Sequence, residues 1–122
     1  MTPDWDLVVI GGGPAGMTAA QYGSRANLKT LVIEEMAAGG AVLLISEMEN
    51  YPGFPEAVNG YEFSEKMRRQ TENFGAEFKS ATANSISREG DIFTIETSSG
   101  PVTSWTVVLS SGAKHKHLGI PG

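Results

Sequence analysis

The stretch DLVVIGGGPAGMTAA, residues Asp6–Ala20, runs from an apolar segment through three consecutive glycines and a proline into an alanine-rich segment. Leu7 to Ile10 is a continuous apolar run closed by glycine, the pattern of a strand buried on both faces of a parallel sheet. Pro14 suits a helix start, where its missing N–H costs nothing. Ala15, Ala19, Tyr22 and Ala26 then recur at helical spacing and mark the apolar stripe of that helix. Leu28 to Glu34 contains a second buried run, Leu31-Val32-Ile33, so the chain opens with a βαβ unit.

Within this unit Gly11, Gly13 and Gly16 satisfy G-x-G-x-x-G between strand and helix. The three glycines serve different physical ends, namely the tight turn, approach of a pyrophosphate to bare backbone, and close contact of helix with strand. A phosphate there would meet unpaired N–H groups at the positive end of the helix dipole. Glu34, at the tip of the second strand, stands where a carboxylate accepts hydrogen bonds from a ribose 2′-hydroxyl. No arginine follows it directly, which argues against a 2′-phosphate, and Glu35 reads as the more solvated neighbour. NAD and FAD both carry an ADP moiety that such a site accepts, and the glycines do not separate them.

Outward from the βαβ unit, residues 34–60 read as a long loop with a short strand or helical turn. Gly60 to Gly75 forms a second amphipathic helix with Phe63, Met67 and Phe74 on one face, stopped by Gly75. The period then changes to alternation. Segments around 83–88, 92–97 and 102–107 are separated by Glu-Gly-Asp and Ser-Ser-Gly turns, the pattern of an antiparallel meander. Thr106 to Leu109 is dense enough in apolar and β-branched residues to continue into a buried parallel strand. Neither a repeat nor a linker interrupts residues 1–122, which read as one domain.

Composition narrows the function classes. The chain has 122 residues, no cysteine, and nine Lys plus Arg against fourteen Asp plus Glu, for a formal net charge of -5. Absent cysteine excludes disulfides, thiolate metal sites and a cysteine nucleophile in this chain. An acidic balance disfavours nucleic acid as a partner, because phosphate neutralisation needs clustered basic residues. No signal-peptide pattern opens the chain and no apolar run approaches the roughly 20 residues of a membrane span; the expected compartment is the cytoplasm. His115 and His117, alternating with Lys114 and Lys116, read as a solvated basic loop without a third metal ligand. There is no G-x-S-x-G nucleophile turn. Trp5 and Trp105 read as core or edge aromatics, and Met17, Met48 and Met67 as packing residues.

Further segments carry a resemblance. Gly39-Gly40-Ala41, the run ENYPGFPE at 49–56, the helix YEFSEKMRRQTENFGAE at 61–77 and the run LGIPG at 118–122 together resemble the amino-terminal FAD-binding half of bacterial thioredoxin reductases, within the pyridine nucleotide-disulfide oxidoreductases. The likeness runs through essentially the whole chain. It implies an α/β, Rossmann-like FAD-binding domain: a parallel βαβ sheet with an attached antiparallel β-meander, incomplete at its carboxyl end. It places FAD pyrophosphate on Gly11, Gly13, Pro14, Ala15 and Gly16 and the adenosine ribose on Glu34. The flavin end falls on Gly39, Gly40, Ala41 and Asn50, the adenine on the backbone around Ala83, and the end of the strand beside the cofactor on Ser111 and Gly112. Asn50 has the mixed donors and acceptors a flavin edge requires.

The family's usual pattern has glutamine at Ala41 and Ala-Thr-Gly at Ser110-Ser111-Gly112, so this chain lacks an amide beside the flavin. The resemblance also implies electron flow from NAD(P)H through FAD to a disulfide such as that of thioredoxin. The family's NADPH-binding domain with its cysteine pair, and its closing FAD segment, have no counterpart in these residues. The expectation is therefore a fragment that binds FAD weakly and does not turn over, with no catalytic residue or metal ligand of its own. Alternatives are a nucleotide-binding half-domain that pairs with itself as a homodimer, and part of a ferredoxin- or flavin-dependent disulfide reductase.

Overall fold

The computed structural model describes residues 1–112. In chain order the elements are β1 (Trp5–Ile10), α1 (Pro14–Arg25), β2 (Thr30–Glu34), a 3-10 helix (Gly40–Leu44), α2 (Gly60–Asn73), β3 (Glu77–Ser80), β4 (Ala83–Glu89), β5 (Ile92–Thr97) and β6 (Gly100–Leu109). The strands make one six-stranded sheet in the order β3-β2-β1-β6-β5-β4. β1 pairs in parallel with β2, Val8 opposite Leu31, and with β6, Val8 opposite Val107. β2 pairs in parallel with β3. β4, β5 and β6 form the antiparallel meander.

β6 joins the two halves. Residues 100–104 pair with β5, and residues 104–109 pair with β1. The meander strand and the buried parallel strand expected after it are thus one continuous element. The turns between meander strands are tight, with Glu89 opposite Ile92 and Thr97 opposite Gly100.

Apolar side chains alternate to two sides of the central strands, as the period of two requires. Val8, Leu31 and Ile33 pack with Ala81, Ile95 and Val102 on one side. Leu7, Val9 and Val32 pack with Ala20 and Ala76 on the other. A third cluster joins Met48, Val58 and Phe63, with Phe54 and Met67 against it.

The structure corrects two expectations and adds one strand, β3, to them. The inward face of α1 is Gly16, Met17, Ala20, Gly23 and Ser24, whereas Ala15, Tyr22 and Ala26 face solvent and Ala19 is half-buried. A side chain at Gly23 would run into Leu7 Cδ2, 2.6 Å from where its Cβ would stand. At Gly23 the helix lies close to β1, while Met17 on the same face fills the space between helix and sheet further along. Phe74 caps α2 and is exposed, with the Arg25 guanidinium 5.6 Å from its ring centroid, while Phe63 is buried and Met67 half-buried as expected. β3 carries no alternating signal of its own, and its partner β2 organises it: Leu31 to Glu34 pair with Glu77 to Ser80.

Within the long loop, residues 40–44 form the helical turn, and Met48 and Val58 bridge across its neck. Trp5 is half-buried against the core, Trp105 is exposed, and Met17 and Met48 are buried. Among the described residues no helix is long and apolar enough to cross a membrane. His115, His117 and the run 118–122 lie outside the described residues.

Candidate functional site

The carboxyl ends of β1, β2 and β6 meet at the glycine turn. Gly11 leaves β1 at φ +102, and its N–H donates to the Ile33 carbonyl at 2.8 Å. A side chain there would strike the Ser110 carbonyl, so both conformation and space demand glycine. One turn on, a Cβ at Gly16 would overlap the Gly11 carbonyl and stand 2.7 Å from Ser110 Oγ. Ser110 completes the joint: its hydroxyl lies 3.0 Å from the Ile10 carbonyl and 2.9 Å from that of Gly11. A residue that the sequence marked only as a departure from a pattern therefore staples the turn to β6.

Gly13 differs. Its backbone is extended, and the nearest atom to a Cβ there would be the Gly39 carbonyl oxygen at 3.7 Å, an ordinary contact. The fold itself does not require glycine at 13. As N-cap of α1 it supplies no side-chain hydrogen bond, and the first turn holds no acidic residue. α2 is built the other way: Asn59 Oδ1 accepts from the Glu62 N–H at 2.8 Å, and Glu62 lies in the first turn. Helix N-termini leave donors that need partners and favour anions. α2 meets this need from its own sequence, whereas α1 leaves it to something else.

Glu34 closes the site from β2. Its Oε2 accepts from the Gly12 N–H at 2.5 Å and its Oε1 from the Met36 N–H at 3.3 Å. A half-buried carboxylate thus sits directly beside the glycine turn. Gly11, Glu34, Ala83 and Ser111 share a cavity of about 200 Å³ whose apolar walls include Ile10, Ile33 and Ala81. On the other side Gly13, Pro14, Ala15, Glu34, Gly40, Ala41, Ser111 and Gly112 line a second cavity of about 220 Å³. Glu34 and Ser111 border both.

Gly16 lies beneath the turn. Gly39 stands behind Gly40, with its N–H donating to the Gly12 carbonyl at 2.7 Å. Asn50 lines a separate open hollow with Tyr51, Pro52, Gly53 and Phe54. Tyr51 and Phe54 pack on Phe63, with ring centroids 4.6 and 5.5 Å away. The residues predicted for one site are thus drawn together around the glycine turn, with Asn50 apart. Gly12 and Ser110 join the site beyond the residues assigned to it, and Ser64, which abuts Gly39, does so without any motif to announce it. An uncapped helix terminus between an acid-flanked apolar cavity and a second hollow suits an elongated ligand: a flat ring, a hydroxyl-bearing sugar, then an anionic link.

The profile of the family described as pyridine nucleotide-disulphide oxidoreductase matches residues 5–122. Thioredoxin reductase from Treponema pallidum (strain Nichols) is 44% identical over 122 residues, covering 100% of this chain and 40% of that protein. Thioredoxin reductase from Mycolicibacterium smegmatis is 41% identical over 117 residues, covering 96% and 38%. Among solved structures, Lactococcus lactis thioredoxin reductase in its FR conformation superposes with a TM-score of 0.92 at 39% identity, covering 98% of this chain and 39% of that one. The chain spans about 40% of the length of the curated relatives it matches.

Proposed function

Because the chain belongs to the pyridine nucleotide-disulphide oxidoreductase family, we propose that it is the FAD-binding portion of a thioredoxin reductase-like flavoprotein that passes electrons from NAD(P)H to a disulfide such as that of thioredoxin. The observation that carries the reading is the uncapped N-terminus of α1 opening beside Glu34, between two cavities at the carboxyl ends of parallel strands. This is where open α/β sheets take nucleotides.

The residues present fit FAD. N–H groups in the first turn of α1 bind the diphosphate, and Glu34 accepts from the ribose hydroxyls. Ile10, Ile33 and Ala81 exclude water around the adenine, with the Ala83 backbone at its edge. Gly40, Ala41 and Gly112 border the flavin side, and Ser111 stands between the two halves. Asn50 is assigned to the flavin end by the family resemblance. Bound FAD supplies the two-electron redox chemistry, while the protein supplies position and electrostatics. A chain without cysteine has no thiol to relay electrons onward, so by itself it is expected to bind nucleotide without reductase turnover.

Calorimetric titration of the chain with FAD, ADP, NAD and FMN tests this. FAD and ADP should bind, FAD more tightly than NAD, and FMN should give no heat at matched concentration. Binding of FMN with ADP silent would overturn the assignment. One observation favours a second reading, a nucleotide-binding half-domain that self-associates: residues 105–109 of β6 pair with β1 but not β5, and Leu109 is 68% exposed. Such edges invite strand pairing. A monomeric elution volume across a hundredfold concentration range would remove that reading.

A further inference from the structure

The Gly39–Gly40 peptide faces the site the wrong way round for an anion. The Gly39 carbonyl oxygen lies beside Gly13, the N-cap of α1, 3.7 Å from where a Gly13 side chain would begin. A diphosphate on that terminus would meet a negative oxygen beside it. Behind the same residue lies Ser64, on α2, only 1% exposed and with no hydrogen-bond partner for its hydroxyl among the described residues. Its Oγ sits in the space a side chain on Gly39 would fill. An unpaired buried hydroxyl is costly, because its lost hydration is not replaced.

Weak bonds hold the peptide as it stands. Gly40 N–H reaches the Ala37 carbonyl at 3.4 Å, and the Gly39 carbonyl receives the Val42 N–H at 3.3 Å. Gly39 has φ +122 and Gly40 φ +57. Two successive glycines let the intervening peptide turn over without side-chain clash.

We propose that Ser64 is a positioning residue for the nucleotide diphosphate: when the anion binds, the Gly39–Gly40 peptide flips, its carbonyl leaves Gly13 to accept from the Ser64 hydroxyl, and Gly40 N–H turns toward the anion. The inference rests on the nucleotide reading above and adds to it a residue outside the glycine turn. Ser24, the other buried hydroxyl without a partner among the described residues, lies in the last turn of α1, at the opposite end from Gly13. It serves as the control.

The test compares the natural chain, Ser64→Ala and Ser24→Ala by thermal unfolding without ligand, by titration with ADP and FAD, and by the Gly40 amide resonance during titration. Ser64→Ala should leave the thermal midpoint of the free chain unchanged or higher. It should weaken ADP and FAD binding roughly 3- to 10-fold, the effect of losing one hydrogen bond. It should also abolish the large ligand-induced shift of the Gly40 amide. Ser24→Ala should alter neither binding nor that shift. A lowered midpoint for Ser64→Ala would show that the hydroxyl is already bonded in the free protein and would overturn the proposal. Unchanged affinity beside normal binding by the natural chain would overturn it while leaving the nucleotide reading intact. If the natural chain binds neither ADP nor FAD, both fall together.

Discussion

Gly11, Gly13 and Gly16 look equivalent in a motif and are not equivalent in the fold. At Gly11 and Gly16 an added methyl group collides with main-chain carbonyls held by β6 and by the turn itself. Gly11→Ala and Gly16→Ala should therefore each destabilise the chain by about 1–3 kcal/mol or more, through strain and displaced backbone; urea unfolding of the purified variants measures this. Glu34 offers a second contrast at this scale. Glu34→Ala removes the acceptor for the part-buried Gly12 N–H, at a cost of about 1–3 kcal/mol. Glu34→Gln keeps an acceptor for that N–H but exchanges carboxylate for amide, so it should keep most of the stability while weakening ADP binding. If Glu34→Gln proves as unstable as Glu34→Ala, the carboxylate serves the turn rather than a ligand.

The two helices show what an element does with its first turn. α2 carries its own cap, and Asn59→Ala should cost about 1 kcal/mol, within a range of 0.5–2, in the urea midpoint of the whole chain. α1 has an extended N-cap residue and room for a side chain, but no cap. Gly13→Ser should supply the missing acceptor without placing a charge beside the Gly39 carbonyl. The free chain should then become more stable by a few tenths of a kcal/mol, while ADP and FAD binding weakens because the hydroxyl occupies the anion's place. Stability and binding moving in opposite directions would set this terminus apart as a site. If Gly13→Ser destabilises the chain, the turn has no room for a cap and the distinction between α1 and α2 fails. The buried face of α1 belongs to this scale too. Sequence periodicity selected Ala15, Ala19, Tyr22 and Ala26, one of two stripes at helical spacing; the buried one carries Met17 and Ala20, but Gly16, Gly23 and Ser24 give it little hydrophobic weight. The contact surface is instead set by how near the helix axis lies to the sheet.

Across the whole molecule, β6 couples the meander to the parallel sheet, and Ile95 is buried where the two share a core. Ile95→Ala should cost about 2–5 kcal/mol, and hydrogen exchange should show β1 and β5 losing protection together. Loss confined to β5 would mean that the meander opens independently. At this scale the division between sequence and tertiary structure becomes plain. The βαβ opening, the meander with its two tight turns, the glycine fingerprint and the acid at the tip of β2 were all legible in the sequence. Each is a short-range pattern whose cause lies within a few residues: strand alternation, the backbone freedom of glycine, or a helix start at proline. β3, the inward face of α1, the staple made by Ser110, the separate hollow of Asn50 and the unpartnered hydroxyl of Ser64 were decided by tertiary structure alone. Each depends on which surface arrives opposite a residue, and no local periodicity encodes how closely two distant backbones approach.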